Sequence, residues 1–573
     1  SRSGPSKSGR HPDRGAGRVA PRRLGVGGDY FFFGAAFFLG AAFFFGAAFF
    51  LGAAFFFGAA FFLGAAFFFG AAFFLGAAFL PTEDPPFLAA VFFRVYRLGE
   101  VVPEMFSDHA EKLLDVVDLM QGHTKIFFER NTGREGLQFY LIAWAARLFG
   151  TGISFMSMKI GTVALGIFML PYMYLLGKEL GNRNVGLLAM ALTGFSYWPN
   201  ILARVALRFI LYPALAAPTF YYLVRGLKTG QRRYFILSGV FLGIGLHGYT
   251  PFRAVPILVV IVMGLYWLQQ RGKIRFYRAF VWLGIVTFIS LIVFLPLLRV
   301  WTQIPEQFNY RTATRLVGVD TGVEIPEGLD LAGLLLKNVW DGLLMFNWDS
   351  GDIWVNTIPG YPSLDLVAGA AFLIGVVLVL ARFAARGRWQ DGFLLLGIPV
   401  LMLPSTLVLA FPQENPAPNR AGGAAVVVFL LAAIAIEAVL RAVRTNLDGK
   451  AGVRLAAAIG AGLVLISAWH NYGLTFSTFP EQYAPSAKNT SELGAVIEQF
   501  TDTGGSPDQA WVIAYPHWVD TRLVGIQSGF PTRDFAIWPE ELEATLSVAA
   551  PKSVSYTHLR AHETVLDLVC RLL

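Results

Sequence analysis

The chain has little charge and almost no cysteine, and these two shortages exclude several kinds of protein. Asp, Glu, Lys and Arg make up 15% of its 573 residues, whereas a soluble domain carries about 25%. The single cysteine, Cys570, allows neither a disulfide framework nor a thiolate metal site. The sequence also lacks a Walker phosphate loop, a dinucleotide-binding glycine motif and an HExxH zinc motif. The shortage of charge instead favours lipid as the solvent of this chain.

Hydrophobic residues make up 55% of the chain, and many are gathered into runs long enough to cross a bilayer. Such runs lie near 154–177, 185–200, 207–224, 234–250, 252–268, 279–299, 364–382, 393–411, 421–440 and 453–469. A further span ends in FLAAVFFRVYRL, just before residue 99. The sequence therefore predicts an all-α polytopic membrane protein with about 11 transmembrane helices over residues 87–469.

Basic residues mark one side of the predicted membrane body. Alternate loops are basic, at 178–183, 225–233, 271–278, 382–388 and 441–454. The positive-inside rule places these loops in the cytoplasm, so the loops at 97–136, 300–363 and 411–420 lie outside. The short apolar segment 137–150 is then a re-entrant or surface-lying helix. Because the net charge of +8 resides largely in cytoplasmic loops and the N-terminal leader, we expect no nucleic-acid partner.

The two ends of the chain differ from this body. Residues 1–30 form a basic leader that we expect to be disordered, and residues 31–80 contain perfect copies of FFFGAAFFLGAA. We interpret this repeat as an assembly or translation artefact, with a real apolar anchor as the alternative. Residues 551–573 resemble translated adapter sequence and are interpreted as foreign. Between body and tail, residues 470–550 predict a small extracytoplasmic α/β domain, with a helix at SELGAVIEQF and strands at WVIAYP and TRDFAIW.

The first outer loop holds several ionisable residues beside predicted helices. Asp108 and Glu111 stand at the start of a predicted helix, and Glu129, Arg134 and Glu135 precede the apolar segment LQFYLIA. Asp108 has two interpretations, because Ser107 or Asp108 would also serve as the N-cap of that helix. The later residues likewise fit an interfacial salt-bridge network, or an opening where a lipid-borne headgroup meets its acceptor.

Further arginines stand at the outer ends of the predicted spans. An arginine at bilayer depth costs up to about 2.5–3.5 kcal/mol unless it faces protein, water or an anion. Snorkelling to the interface is one interpretation, and a clamp for phosphate or diphosphate is the other, since guanidinium binds phosphate oxygens in pairs. The candidate substrate-binding residues of these segments are Arg204, Arg208, Tyr249, Arg253, Asn419 and Arg420.

The order of these features resembles a known family. One span, a large outer loop with an acidic residue entering a helix, and a polar stretch leading into LQFYL and LFG resemble the C-type polytopic glycosyltransferases. The resemblance is to glycosyltransferase family 39, which includes protein O-mannosyltransferases and lipid A aminoarabinose transferases. It covers about 87–225, and by topology extends to about 470. The family's proline-rich stretch is replaced here by TGREG at 132–136, and His109 stands where a second acidic residue is common.

The resemblance implies a membrane glycosyltransferase. A polyprenyl-phosphate sugar would be the donor, and an acceptor hydroxyl on a protein, lipid or glycan would take the hexose or pentose outside the cytoplasm. Asp108 would be the general base, and Arg253 and Arg420 would stabilise the leaving phosphate. No cofactor is required, and a role for a divalent cation is left open.

Two other functions remain open from the sequence. One is a transporter or flippase of lipid-linked sugars, and the other is a scaffold that displays residues 470–550. The enzyme hypothesis requires Asp108, Arg253 and Arg420 to meet at one outer cavity that is open to lipid.

Overall fold

The computed structural model describes residues 85–270, 276–323, 325–447, 449–514 and 519–556. The predicted basic leader, the phenylalanine repeat and residues 557–573 of the predicted foreign tail lie outside the described residues. The domain limits expected from the sequence at 469–470 and 550–551 stay predictions.

The described part of the chain is mostly helical. Its first half contains α1 Pro85–Val95, α2 Ser107–Met120, β1 Phe127–Phe128, β2 Arg134–Glu135, α3 Leu137–Leu148, α4 Phe155–Leu180, α5 Arg183–Phe195, α6 Tyr197–Arg204, α7 Leu211–Thr229, α8 Arg232–Gly245 and α9 Ala254–Gln269. Short 3-10 turns at Arg208–Ile210 and Thr250–Arg253 introduce α7 and α9. The apolar segment at 137–150 forms α3.

The second half continues the helical body and ends in mixed structure. Its elements are α10 Phe276–Gln303, α11 Pro305–Val317, α12 Gly328–Leu344, α13 Leu366–Arg386, α14 Trp389–Thr406, α15 Ala425–Asn446, α16 Gly449–Gly473, α17 Phe479–Tyr483, α18 Thr490–Asp502, β3 Ala510–Ile513, α19 Thr521–Gln527 and β4 Ser553–Tyr556. A 3-10 turn at Pro412–Glu414 lies between α14 and α15.

Local sequence explains where several long helices begin and end. The side chains of Ser154, Asn182 and Asp365 accept hydrogen bonds from backbone N–H groups in the first turns of α4, α5 and α13. Gly230 and Gly387 end α7 and α13 in the left-handed conformation that favours glycine.

Six helical segments of the described chain are long and apolar enough to cross a membrane. They are Phe155–Leu180, Thr250–Gln269, Tyr277–Gln303, Leu366–Arg386, Gly422–Asn446 and Gly449–Tyr483. The pair α5 and α6, which meet at a bend of 54°, makes a seventh if it is counted as one span. The chain is thus a helical, multi-pass membrane protein, and the finer count of about 11 spans stays a prediction.

Burial distinguishes the central helices from those that face outward. The most apolar window of Gly422–Asn446 is 89% buried, whereas that of Tyr277–Gln303 is 17% buried although it is equally apolar. Since an apolar helix with an exposed surface needs lipid around it, α10 lies at the periphery and α15 in the centre. Ends of several of these helices carry the residues of the cavity described in the next subsection.

The C-terminal segment combines helices with short strands. Strand β3 pairs in parallel with β4, with Ala510 opposite Ser553. The expected second strand, TRDFAIW, instead contributes an isolated bridge between Val512 and Ala536. The helix expected at SELGAVIEQF falls within α18.

Candidate functional site

A cavity of about 560 Å³ lies where the loop before α3 meets the ends of α9, α11 and α14. This volume is in the range of small-molecule binding sites. Asp108, Arg253 and Arg420 all line it, so the structure brings together the three residues that the enzyme hypothesis requires. Its basic lining residues are Lys112, Arg134, Arg208, Arg253, Arg311, Arg315 and Arg420, and its carboxylates are Asp108 and Glu414.

Asp108 lies in the first turn of α2 and points into the cavity. The N-cap of this helix is Phe106, not Ser107 or Asp108 as the sequence suggested. The Asp108 carboxylate instead accepts hydrogen bonds from Asn131 Nδ2 at 3.0 Å and Arg134 Nη2 at 3.2 Å. Its side chain is 36% exposed, which leaves room for a ligand. Lys112, followed by Arg134, holds the pKa of Asp108 well below its usual range, although burial acts in the opposite direction. The carboxylate is therefore ionised at neutral pH.

Lys112 follows Asp108 by one helical turn and is a cavity residue that the sequence did not single out. Its side chain is buried, and its Nζ donates a hydrogen bond of 2.6 Å to the backbone carbonyl of Asp108. Burial lowers the pKa of Lys112 well below its ordinary value, whereas the Asp108 carboxylate acts to raise it. An anion bound in the cavity would therefore favour the charged form of Lys112.

A short hairpin, in which each strand has two residues, positions Arg134. Strands β1 and β2 pair antiparallel, with Phe128 opposite Arg134. Gly133 precedes β2 at a φ of 81°, and a Cβ at this position would lie 2.3 Å from the Phe127 ring, so glycine is required here. The tight turn places Arg134 against Asp108 while its side chain is only 3% exposed.

Glu135 lies behind the cavity wall and pairs with two of the lining arginines. It accepts a hydrogen bond of 2.6 Å from Arg208 Nη1, and both side chains are 3% exposed. Thr250 Oγ1 donates to the same carboxylate at 3.1 Å, and Arg253 Nη2 lies 3.5 Å from it. Burial raises the pKa of Glu135, but Arg208 and Arg253 outweigh it and lower the pKa overall. Glu135 therefore fixes these arginines rather than facing the cavity itself.

Glu414 also pairs with two arginines, but it lines the cavity itself. Its carboxylate accepts hydrogen bonds from both Arg315 and Arg420. Asn419 donates a long hydrogen bond of 3.4 Å to the Tyr249 hydroxyl, and both residues line the cavity. The Arg420 guanidinium keeps one nitrogen, Nη1, that is buried and has no hydrogen-bond partner among the described residues.

Arg311, on α11, is the second cation that sequence reasoning missed. Its Nη1 lies 3.4 Å from the backbone carbonyl of Asn131, the residue that also donates to Asp108. Burial lowers the pKa of Arg311 to about 10, and the nearby positive charge of Arg208 adds to the effect. Within the described part of the chain, Lys112 and Arg311 are the two cavity cations that have no carboxylate partner.

Besides Glu135, three residues that the sequence placed in the substrate site do not line the cavity. Glu111 points away from the cavity and pairs with Arg522 of α19. The exposed Glu129 contributes its backbone carbonyl to a 3.5 Å contact with Gln307. Arg204 is fully buried and donates to the carbonyls of Phe93 and Tyr96, at the end of α1. The Arg204 guanidinium thus donates to backbone carbonyls at the C-terminal end of α1, which is a structural role.

The flank of the cavity that faces the bundle surface is apolar. Ile257 on α9 and Leu407 beside α14 line the cavity and are 47% and 37% exposed, respectively. In a chain surrounded by lipid, this flank opens the cavity toward acyl chains.

No group of three or more His, Cys, Asp or Glu side chains suited to a metal ion occurs within the described ranges. Asp115 and Asp118 are spaced three residues apart on α2, as in a DxxD motif. Both carboxylates accept hydrogen bonds from Arg130, at 2.9 and 2.6 Å.

Similarity to known families is strongest just after the first loop. Residues 137–301 match the family described as dolichyl-phosphate-mannose-protein mannosyltransferase. This segment supplies Arg208, Tyr249 and Arg253 to the cavity, whereas Asp108 precedes it. No curated protein sequence matches the chain.

Solved structures with a similar arrangement are remote in sequence. ArnT from Cupriavidus metallidurans bound to undecaprenyl phosphate has 11% identity and a TM-score of 0.49, over 81% of this chain and 87% of that one. The oligosaccharyltransferase AglB from Archaeoglobus fulgidus, in complex with an inhibitory peptide and a dolichol-phosphate, has 11% identity and a TM-score of 0.49, over 83% and 64%. An Archaeoglobus fulgidus oligosaccharyltransferase in complex with Zn and sulfate has 13% identity and a TM-score of 0.45, over 77% and 61%. This chain thus spans less than two thirds of the archaeal enzyme's length.

The match over 137–301 confirms the resemblance seen in the sequence: over that segment, this multi-pass membrane protein is similar to the dolichyl-phosphate-mannose-protein mannosyltransferases.

Proposed function

We propose that this protein is a membrane glycosyltransferase that moves a sugar from a polyprenyl-phosphate carrier to an acceptor hydroxyl. One observation carries the proposal: an ionised carboxylate, Asp108, shares a cavity with seven basic side chains and an apolar flank. A lipid phosphate suits both parts of this cavity, because its headgroup is anionic and its tail is apolar. The similarity of 137–301 to transferases that are named for a dolichyl-phosphate-mannose donor supports the same substrate class.

The basic residues divide into two groups with respect to the phosphate. Arg253 pairs with the Glu135 carboxylate, and Arg420 pairs with that of Glu414. Each carboxylate holds its guanidinium in place and offsets part of the positive charge. Lys112 and Arg311 form no salt bridge with a carboxylate of the described residues, so they are the better seat for the anion, whose charge would favour the protonated form of Lys112. Guanidinium has five N–H donors, and the unpartnered Arg420 Nη1 is available to a phosphate oxygen.

The reaction uses Asp108 as general base. The acceptor oxygen attacks the anomeric carbon while Asp108 takes the hydroxyl proton, and the bond between that carbon and the phosphate oxygen breaks. The bond electrons leave with the lipid phosphate, and the sugar is transferred with inversion. Positioned base catalysis of this kind contributes on the order of 10²–10⁴-fold. The surrounding cations stabilise the charge that develops on the leaving phosphate.

The finer topology belongs to the same proposal. About 11 spans with cytoplasmic basic loops would put the cavity on the extracytoplasmic face, with residues 470–550 forming an α/β domain there. The acceptor then approaches from outside, and the donor enters sideways from the outer leaflet through the apolar flank at Ile257 and Leu407.

The proposal is tested with the purified chain in nanodiscs and polyprenyl phosphates carrying a radiolabelled hexose or pentose. Envelope extracts supply hydroxyl acceptors. We expect release of free polyprenyl phosphate and appearance of label in the acceptor fraction. In proteoliposomes, movement of the intact donor across the bilayer without loss of its sugar would overturn the proposal in favour of a flippase.

A further inference from the structure

Helix α19 of the C-terminal segment packs directly against α2, the helix that carries Asp108. Leu523 and Ile526 of α19 are buried in one hydrophobic cluster with Ala110 and Leu113 of α2. The intervening Val524 belongs to a different cluster, in which the C-terminal helix α18 and strand β3 take part. Helix α19 therefore connects α2 to the core of the C-terminal segment.

An ion pair between the same two helices, α19 and α2, fixes the position of α2. Arg522 Nη1 donates to the carboxylate of Glu111, which follows Asp108 by one helical turn. The other edge of the guanidinium is held by Asp520, with Nε at 2.8 Å from Oδ1 and Nη2 at 2.6 Å from Oδ2. Since Asp520 fixes its direction, Arg522 restrains Glu111 at a defined position rather than as a mobile surface charge.

A second connection holds the chain just before α2. The carboxylate of Glu104 accepts hydrogen bonds from Ser491 and from Thr490 Oγ1, the latter at 3.3 Å. The Tyr483 hydroxyl donates to the backbone carbonyl of Glu104 at 2.9 Å. The C-terminal segment thus contacts the chain on both sides of Asp108.

Helix α2 depends on such contacts for its position. It has 14 residues and no side-chain N-cap, and a helix of this length is marginal when it stands alone. It is also held by His109, whose Nε2 lies 2.8 Å from the carbonyl of Val205, and by Arg130, which donates to Asp115 and Asp118. A shift of α2 would move Asp108, and misplacement of a reacting group by 1 Å costs up to about 100-fold in rate.

We infer that Glu111 and Arg522 are positioning residues, through which the C-terminal segment holds Asp108 in place for proton transfer. The inference rests on the proposed function and extends it, because it makes residues after 470 part of the catalytic apparatus. It also gives Glu111, which lies outside the cavity, a role in the reaction.

The test compares Glu111→Gln, Arg522→Gln and the double variant in nanodiscs. Glu111→Gln is the cleaner single change, because it leaves the Arg522–Asp520 pair intact. Arg533→Gln is the matched control, since Arg533 pairs with Asp508 within the C-terminal segment and not with α2. Three quantities are measured for each: kcat and the donor KM of sugar transfer, the thermal midpoint, and amide hydrogen exchange of 107–120.

We expect Glu111→Gln to lower kcat by on the order of tenfold with an unchanged donor KM and thermal midpoint. Amide exchange in 107–120 rises, the double variant is no slower than the slower single variant, and Arg522→Lys recovers part of the rate. The control variant behaves like the wild type. Wild-type kcat in Glu111→Gln, or a fall in kcat without faster exchange, would overturn the inference. If the wild type transfers no sugar, the proposed function fails. The amide hydrogen exchange of 107–120 then still tests the contact between α19 and α2, because unchanged exchange in Glu111→Gln would reject it.

Discussion

The ammonium of Lys112 donates a 2.6 Å hydrogen bond to the backbone carbonyl of Asp108, one turn earlier on the same helix. The lysine is thus held by the backbone of the residue whose carboxylate it influences. Lys112 is also the largest cause of the lowered pKa of Asp108. This pair explains how a partly exposed carboxylate next to the proposed phosphate site stays ionised.

Removal of Lys112 is expected to change the pH dependence of transfer. The active form of Asp108 is ionised, so activity is lost as the pH falls through its pKa. Because Lys112 lowers that pKa, Lys112→Met raises it, and the acid limb of kcat/KM moves to higher pH. The measurement is kcat/KM from the lowest pH at which the protein stays folded up to pH 8, with the exposed Lys125→Met as control. An acid limb that does not move would show that Lys112 does not act on the base.

Loss of Arg311 is expected to weaken donor binding. This cation has no carboxylate partner, so its neutralisation removes uncompensated positive charge from the cavity. A charge-assisted hydrogen bond is worth about 1.5–3 kcal/mol, which corresponds to a roughly 10- to 150-fold rise in the donor Kd for Arg311→Gln. The change in affinity is measured by titration of each variant with polyprenyl phosphate. Arg299→Gln, at an exposed position outside the cavity, should bind normally, and equal affinities of the two variants would contradict the assignment.

Neutralising Glu135 is expected to destabilise the fold. Arg208 and Glu135 are both 3% exposed, so Glu135→Gln leaves a buried guanidinium without its charge partner. Breaking a buried pair in this way costs about 3–5 kcal/mol. Thermal unfolding in detergent should show a clear fall in the midpoint. Glu129→Gln, at an exposed position of the same loop, is the control, and equal midpoints would mean that the pair contributes no net stability.

The sequence predicted the elements of the site better than their contacts. Asp108 could be proposed from the family resemblance, and Arg208, Arg253 and Arg420 because ionisable residues at helix ends of a membrane protein need a reason to be there. Lys112 was missed because a lysine within an amphipathic helix normally faces water, although its position one turn after Asp108 was the available signal. Arg311 was missed because no span or motif marked α11.

Arg204 shows the converse error. An arginine at the start of an apolar run resembles a phosphate ligand in sequence, but in the structure it satisfies the carbonyls at the end of α1. Which buried arginine meets a backbone carbonyl and which meets a ligand depends on contacts between distant segments. Such contacts are not encoded in local spacing.

The side of the membrane can be tested by cysteine labelling. With Cys570 replaced by serine, Gln121→Cys and Arg233→Cys place single thiols at exposed positions just after α2 and in the first turn of α8, at the end of the predicted basic loop 225–233. We expect a membrane-impermeant maleimide to label Gln121→Cys in intact cells and Arg233→Cys only after lysis, since basic loops are cytoplasmic. The reverse pattern would place the cavity on the cytoplasmic face.

The most direct test of the account is sugar transfer by Asp108→Asn beside Asp118→Asn. Both residues are on α2, but Asp108 lines the cavity while Asp118 pairs with Arg130 outside it. With labelled polyprenyl-phosphate sugar in nanodiscs, we predict that Asp108→Asn loses about 10²–10⁴-fold in kcat and keeps its thermal midpoint, whereas Asp118→Asn stays near the wild-type rate. Equal transfer rates for Asp108→Asn and Asp118→Asn would contradict the role of Asp108 as the general base.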